Sequence, residues 1–261
     1  HNNIFRARRG GPWVVLSRSA NFSIGRQESR GTTQTFRPGN YSQQKMLDLG
    51  QTSANQVYAM RGFSASAASG RAEPPLGKDL YLGMTMIYHQ DAAPTVDCEL
   101  SMSVDTITWQ RVFPGTPFIP RGPDGSYDAK LLYCGSVPFA VNGSMALYYA
   151  GNRNPHNAHE EWAPVGAHPG GSLDLAQLRL DGWAGFTPCA AQPPPNNGCP
   201  GRECNWSCPV VARVTTTRFL LTGTVLRVNL ELRSGGGSLG VELRHASNDS
   251  VVAGYSLPTE N

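Results

Sequence analysis

Charge is scarce in this chain. Of 261 residues, 16% are Asp, Glu, Lys or Arg, and 22 basic side chains stand against 19 acidic ones, a formal net charge of +3. So small an excess leaves no electrostatic footprint for nucleic acid, and no nucleic-acid partner is expected. Long apolar runs are missing too. No stretch reaches the roughly 18 consecutive apolar residues of a membrane helix, so no membrane span is expected. Helical periodicity is also lacking: the best segment, KMLDLGQ (45–51), is short and ends at Gly50. There is no G-x-S-x-G turn of the kind that presents a nucleophilic serine. The chain opens at His1 without Met or a signal-peptide pattern, which predicts a truncated or processed start.

Glycine (29) and proline (20) are plentiful instead, which favours turns over long elements. Strand patterns dominate. WVVLSRS (13–19), NQVYAMRGF (55–63) and YLGMTMIYH (81–89) read as strands, the last apolar enough to be covered on both sides. VDCELSMSVD (96–105) alternates, with Val96, Cys98, Leu100, Met102 and Val104 on one face and Asp97 and Glu99 on the opposite, solvent side. KLLYCGSVPFAV (130–141), Asn142-Gly143 and SMALYYAGN (144–152) carry a strong hairpin signal. Residues 153–172 are polar and read as a loop. Beyond it, LAQLRLDGWAGFT, TVLRVNLELRS, LGVELRHA and SVVAGYSL alternate like half-buried antiparallel strands. The expectation is an all-β chain in two parts, 1–172 and 173–261.

The six cysteines are even in number. Cys189, Cys199, Cys204 and Cys208 crowd a Pro-rich insertion (189–208) whose irregular spacing suits two disulfides better than a zinc site. Cys98 and Cys134 fall on strands and read as a disulfide or as buried thiols rather than nucleophiles. Five N-x-[ST] sequons, at Asn21, Asn40, Asn142, Asn205 and Asn248, join the even cysteine count in pointing to a secreted or cell-surface glycoprotein. Asn142 is favoured as a glycan carrier because Asn-Gly turns are exposed. His156 and His159, with Glu160 and Glu161, offer metal-ligand atoms, but a solvated loop is the better reading. No metal site and no cofactor are expected.

The block YLGMTMIYHQD, VDCELSMSVDTITWQRV and PGTPFIPRGPDGSYDAKLLYCGSVPFAVNGSMALYYAGN (residues 81 to 152) resembles bacterial glycosyl-hydrolase-like proteins. These belong with the five-bladed β-propeller superfamily of β-fructosidases and arabinanases. The similarity continues through LRLDGWAGF, the TTTRF–GTVLRVNLE pair and GVELRHASNDSVVAGYSL. It implies propeller blades followed by an antiparallel β-sandwich. Both would be incomplete here, because family members carry more propeller before the equivalent of His1 and more sandwich after Leu257.

The resemblance also implies chemistry. Glycoside hydrolysis uses paired carboxyl groups. Asp128 precedes the apolar strand expected to be innermost in its blade, and an Asp holds that place in the family pattern, so Asp128 is the candidate catalytic residue. A turn or strand-start Asp is the competing reading. Asp105 and Trp109 fit a structural blade turn in which Asp caps and Trp packs beneath. His89, at a strand end, could line the pocket. His156, Tyr127 and Trp162, in loops, are candidates for contacting sugar rings. Two functions fit: a secreted glycoside hydrolase, or a non-catalytic glycan-binding or structural module within a larger extracellular assembly. A second carboxylate roughly 5–9.5 Å across from Asp128 would separate them.

Overall fold

The structure is a computed structural model that describes residues 2–7, 10–21, 23–70, 80–135, 137–156, 171–185, 213–216, 218, 228, 230 and 238–258. The chain divides into two units, His1–Trp183 and Ala184–Asn261. Both are β-built: among the described residues the sole α-helix is the four-residue α1 (Ala65–Ala68), capped by the Ser64 hydroxyl on the Ala67 amide. None is long and apolar enough to cross a membrane.

The first unit consists of three antiparallel meanders. The first runs β1 (Asn2–Arg6), β2 (Trp13–Asn21), β3 (Gly25–Thr33) and β4 (Lys45–Met46), in that order. The second runs β5 (Asn55–Ser64), β6 (Tyr81–His89), β7 (Thr95–Ser103) and β8 (Gln110–Arg111). In the third, β9 (Leu131–Tyr133) and β10 (Phe139–Val141) pair with β11 (Ser144–Asn152), and β12 (Gly171–Arg179) also pairs with β11. One parallel pairing, Val96 opposite Leu131, joins the second and third meanders into a curled eight-stranded sheet.

Apolar clusters lie between the meanders. Phe5, Val14, Leu16, Leu47 and Leu49 of the first meander and its trailing segment pack on Val57, Met60, Tyr81, Ile87 and Trp109 of the second. The second meander's other face sets Phe63, Leu82, Met84, Cys98 and Leu100 against Leu132, Cys134, Met145, Leu147 and Tyr149 of the third. The second meander is therefore covered on both sides, which is why β6 reads as an unbroken apolar run. The approach is close at Gly62, where an added Cβ would sit 2.8 Å from the Phe5 ring and 2.9 Å from Leu16. The turn after β7 is held by Asp105, whose Oδ1 accepts from the amides of Ile107 and Thr108, both at 2.7 Å. Trp109 is buried beneath it and donates its indole N–H to the Thr106 carbonyl.

Three expectations need correction. The division falls at 183/184 rather than 172, because β12 belongs to the first unit, in nine-residue register with β11. The polar stretch before it is the connection of a long hairpin, whose composition matches that of a linker. KMLDLGQ forms no helix, in keeping with its weak pattern; it supplies β4 and then buries Leu47 and Leu49. The 130–141 segment is two short strands along one side of β11, interrupted around Pro138. Asp97 and Glu99 are not solvated. They are 7% and 2% exposed, because the solvent side expected for β7 is also covered.

Of the second unit, β13 (Gly240–Arg244) and β14 (Val251–Pro258) are described, an antiparallel hairpin whose turn places Asp249 at φ 59°. Arg244 ties it together, reaching Glu242 at 2.7 Å and Asp249 at 3.3 Å. The other expected strands of this unit and the insertion with Cys189, Cys199, Cys204 and Cys208 lie outside the described residues, apart from isolated positions.

Candidate functional site

Antiparallel connection brings five chain segments to one end of the first unit. The Arg26 amide, at the start of β3, donates to Gln56 Oε1 at the start of β5. The Val96 amide, at the start of β7, donates to the Lys130 carbonyl just before β9. The His156 amide, after β11, donates to the Pro94 carbonyl in the β6–β7 turn. The polar side chains of these segments converge there.

Asp128 lies three residues before β9 and is 7% exposed. Its Oδ1 accepts from the Ser126 hydroxyl at 2.8 Å, and its Oδ2 from the Tyr149 phenol at 3.4 Å. Two glycines make room for it. An added Cβ at Gly151 would lie 2.7 Å from Asp128 Cβ, and one at Gly122 would overlap Asp128 Oδ1. Burial raises the Tyr149 phenol above its ordinary pKa, and a hydrogen bond with Tyr127 and the charges of Asp128 and Asp174 add to that. Tyr149 is therefore a neutral donor. Tyr127 itself is exposed.

Beside this group, Asn55, His89, Gln90, Asp91, Asp97 and Arg121 line much of a cleft of about 320 Å³. His89 bridges it: Nδ1 lies 2.7 Å from Asn55 Oδ1 and Nε2 lies 2.8 Å from Asp97 Oδ2. The other Asp97 oxygen accepts from Arg121 Nε at 2.5 Å. Burial alone would push the Asp97 carboxyl up. The His89 hydrogen bond and the Arg121 charge outweigh it and hold the group below the ordinary aspartate value. Asp97 is thus a fixed anion, suited to orienting His89 and Arg121 and unsuited to donating a proton. Arg121 also approaches the Ala129 carbonyl, so the loop that bears Asp128 shares this network.

A third group adjoins the cleft. Tyr58, Tyr88 and Tyr133 cluster, with ring centroids 6.4 Å apart for Tyr58–Tyr88 and 5.5 Å for Tyr58–Tyr133. The His156 ring stands edge-on to Tyr58 at 5.1 Å and to Tyr88 at 5.0 Å. Arg26 lies 4.3 Å over Tyr88, and Arg18 lies 5.2 Å over Tyr58.

Of the residues singled out from sequence, Asp128 and Tyr127 come together around Tyr149, while His89 and His156 sit in the neighbouring cleft and aromatic cluster. Trp162 lies outside the described residues. Asp97, Arg121, Tyr58 and Arg26 were missed as site residues. The doubly covered β6 was the available signal, since it implies that polar residues on β7 are also enclosed. Cys98 and Cys134 are joined in a disulfide. Asn40, Asn142 and Asn248 are exposed, Asn142 in a left-handed turn with φ 47°. The Asn21 side chain and Asn205 lie outside the described residues.

No family model matches the sequence, and no curated protein matches it. Among solved structures, the chain is similar to an N-acetylgalactosamine deacetylase from F. plautii, determined in complex with blood group B trisaccharide. The identity is 11% and the TM-score 0.41, over 69% of this chain and 49% of that one. This chain therefore spans about half of that protein's length, and a likeness at this level transfers neither residues nor activity.

Proposed function

We propose that the chain is part of a carbohydrate-active protein of the five-bladed propeller class, resembling a glycoside hydrolase, with the three meanders as consecutive blades. Face-to-face stacking through apolar clusters and the Asp105–Trp109 turn support that reading of the architecture. The β13–β14 hairpin would belong to the following sandwich. The observation that carries the functional reading is the setting of Asp128. It is a buried carboxylate just ahead of β9, hydrogen-bonded by Ser126 and Tyr149, at the end where a polar cleft and an aromatic cluster meet. In this reading sugar binds at that end, and Asp128 is one of the paired carboxylates that hydrolyse the glycosidic bond.

A non-catalytic, glycan-binding role within a larger extracellular assembly is the second reading. What favours it is Asp97: the buried carboxylate of the adjoining cleft has both oxygens occupied by His89 and Arg121. The Cys98–Cys134 disulfide and the exposed sequon residues Asn40, Asn142 and Asn248 support secretion or display at the cell surface in either case.

The test compares the purified protein with Asp128→Asn on an oligosaccharide panel, following both binding and product release. Hydrolysis by the native chain, lost in Asp128→Asn with binding kept, supports the enzyme. Binding without hydrolysis, weakened by Asp128→Asn, supports the glycan-binding module. A variant indistinguishable from the native protein in both assays overturns the assignment of Asp128.

A further inference from the structure

Three arginines of the first unit, Arg61, Arg111 and Arg121, meet a backbone carbonyl or an acid. Arg111 is 3.1 Å from Glu99, and Arg121 is 2.5 Å from Asp97. Arg18 and Arg26 differ. Among the described residues neither has a carboxylate within ion-pairing distance; each guanidinium lies over a tyrosine ring. The acid opposite Arg18 in the β2–β3 register is Glu28. Glu28 is 1% exposed, and burial raises its pKa to about 8, so near neutral pH it does not balance the arginine. Two cations thus share one small region without a counter-charge among the described residues.

Their setting is built for a ligand. Arg26 is anchored by Gln56, whose Oε1 accepts from the Arg26 amide at 3.0 Å and from Nη1 at 3.1 Å. Gln56 is in turn held by Ser53 and by Gln90, a residue of the cleft. A guanidinium has five N–H donors, and stacking on an aromatic face leaves its edge available. Arg18 is exposed and Arg26 half-buried, so both can be reached from solvent. Tyr58, Tyr133 and His156 are half-buried, offering apolar ring surface beside the two cations. Tyr133 ends β9, the strand that Asp128 leads into. Fixed, unbalanced positive charge next to aromatic faces attracts an anion carried on a body that can stack.

We propose that the saccharide bound at this end carries an anionic group, a carboxylate or a sulfate, which Arg18 and Arg26 select while the half-buried rings of Tyr58 and Tyr133 take the sugar ring. The proposal rests on the carbohydrate reading above and names its substrate class: acidic oligosaccharides, in place of the neutral ones that need no cation.

The experiment uses the whole chain and a panel in which each oligosaccharide is present in neutral, uronate-bearing and sulfated forms. The expected result is binding of an anionic form about tenfold or more tighter than its neutral counterpart, weakening as salt is raised. The uronate and sulfate arms identify which anion is taken. Arg18→Gln and Arg26→Gln are each expected to lose about ten- to a hundredfold on the anionic form and little on the neutral one. Arg18 is on the surface, so its variant keeps the proposal open to refutation even if Arg26→Gln does not fold. Equal affinity for neutral and anionic forms overturns this inference and leaves the carbohydrate reading standing, as does unchanged anion binding in the double variant. No binding to any member of the panel overturns both.

Discussion

His89 Nε2 meets Asp97 Oδ2 at 2.8 Å, a side-chain link at the mouth of the cleft between the end of β6 and the start of β7, which also pair in register through their backbones. Each is held at its other polar atom as well, Asp97 by Arg121 and His89 by Asn55. The depressed pKa of Asp97 makes the network a source of stability that is present above the ordinary aspartate value and lost as pH falls through the lower, folded value. Asp97→Asn is therefore expected to cost about 1–3 kcal/mol near neutral pH and less near pH 3, below the ordinary aspartate value. Denaturant titrations of both proteins at the two pH values check this; an equal loss at both would place the bond's contribution elsewhere.

Glu28 has the opposite sign. Its folded pKa of about 8 lies above its ordinary value of 4.5, so the stability linked to its proton is complete below about 4.5 and drains away as pH rises toward 8. Glu28→Gln retains an acceptor for the Met60 amide and removes the ionisation. The variant is expected to melt at least roughly 5 °C higher than the native protein at pH 8, with little difference at pH 5. Calorimetry at both values decides it. A native melting temperature at pH 8 equal to or above that of the variant refutes the buried neutral carboxyl.

Gly151 sets the position of Asp128 by having no side chain. With Cβ only 2.7 Å from Asp128 Cβ, Gly151→Ala must displace the aspartate or β11. The variant is expected to lose glycan binding or turnover nearly as fully as Asp128→Asn, for a stability cost of about 1–3 kcal/mol. Activity at the native level would mean that the exact place of Asp128 is immaterial.

The Cys98–Cys134 bridge closes a span of 36 residues that includes the Asp128 loop. Replacing both cysteines by serine is expected to destabilise the chain by about 3–4 kcal/mol, chiefly through the freer unfolded state. Equilibrium unfolding measures this. Mass spectrometry of the native chain under alkylation would disprove the bridge by labelling either thiol.

The strand pattern made most of the first unit's elements legible, because alternation and apolar runs are local. The Asn142-Gly143 hairpin and the Asp105–Trp109 turn were legible for the same reason: each depends on a few adjacent residues. What stayed hidden depends on stacking. Asp97 and Glu99 alternate with apolar residues just as solvent-facing side chains do, and only the neighbouring meanders enclose them. The 1–172 boundary failed because a long polar hairpin connection and an inter-domain linker share one composition. Asp128 was singled out through the family resemblance and Tyr127 as an aromatic residue in a loop. Arg18 and Arg26 were not, since nothing in WVVLSRS or its neighbour β3 reveals that the two arginines come to lie on tyrosines of the next meander.

The meanders have a kinetic consequence. Nearly all their backbone pairing joins strands adjacent in sequence, with Val96–Leu131 linking across meanders. Contact order within each meander is low, so each can form quickly as it leaves the ribosome, whereas burial of the clusters between them must wait for the next to arrive. Substitutions in hairpin turns such as Asn142-Gly143 are then expected to slow folding. Truncations at the shared interfaces, such as Met84→Ala, are expected to act mainly by hastening unfolding.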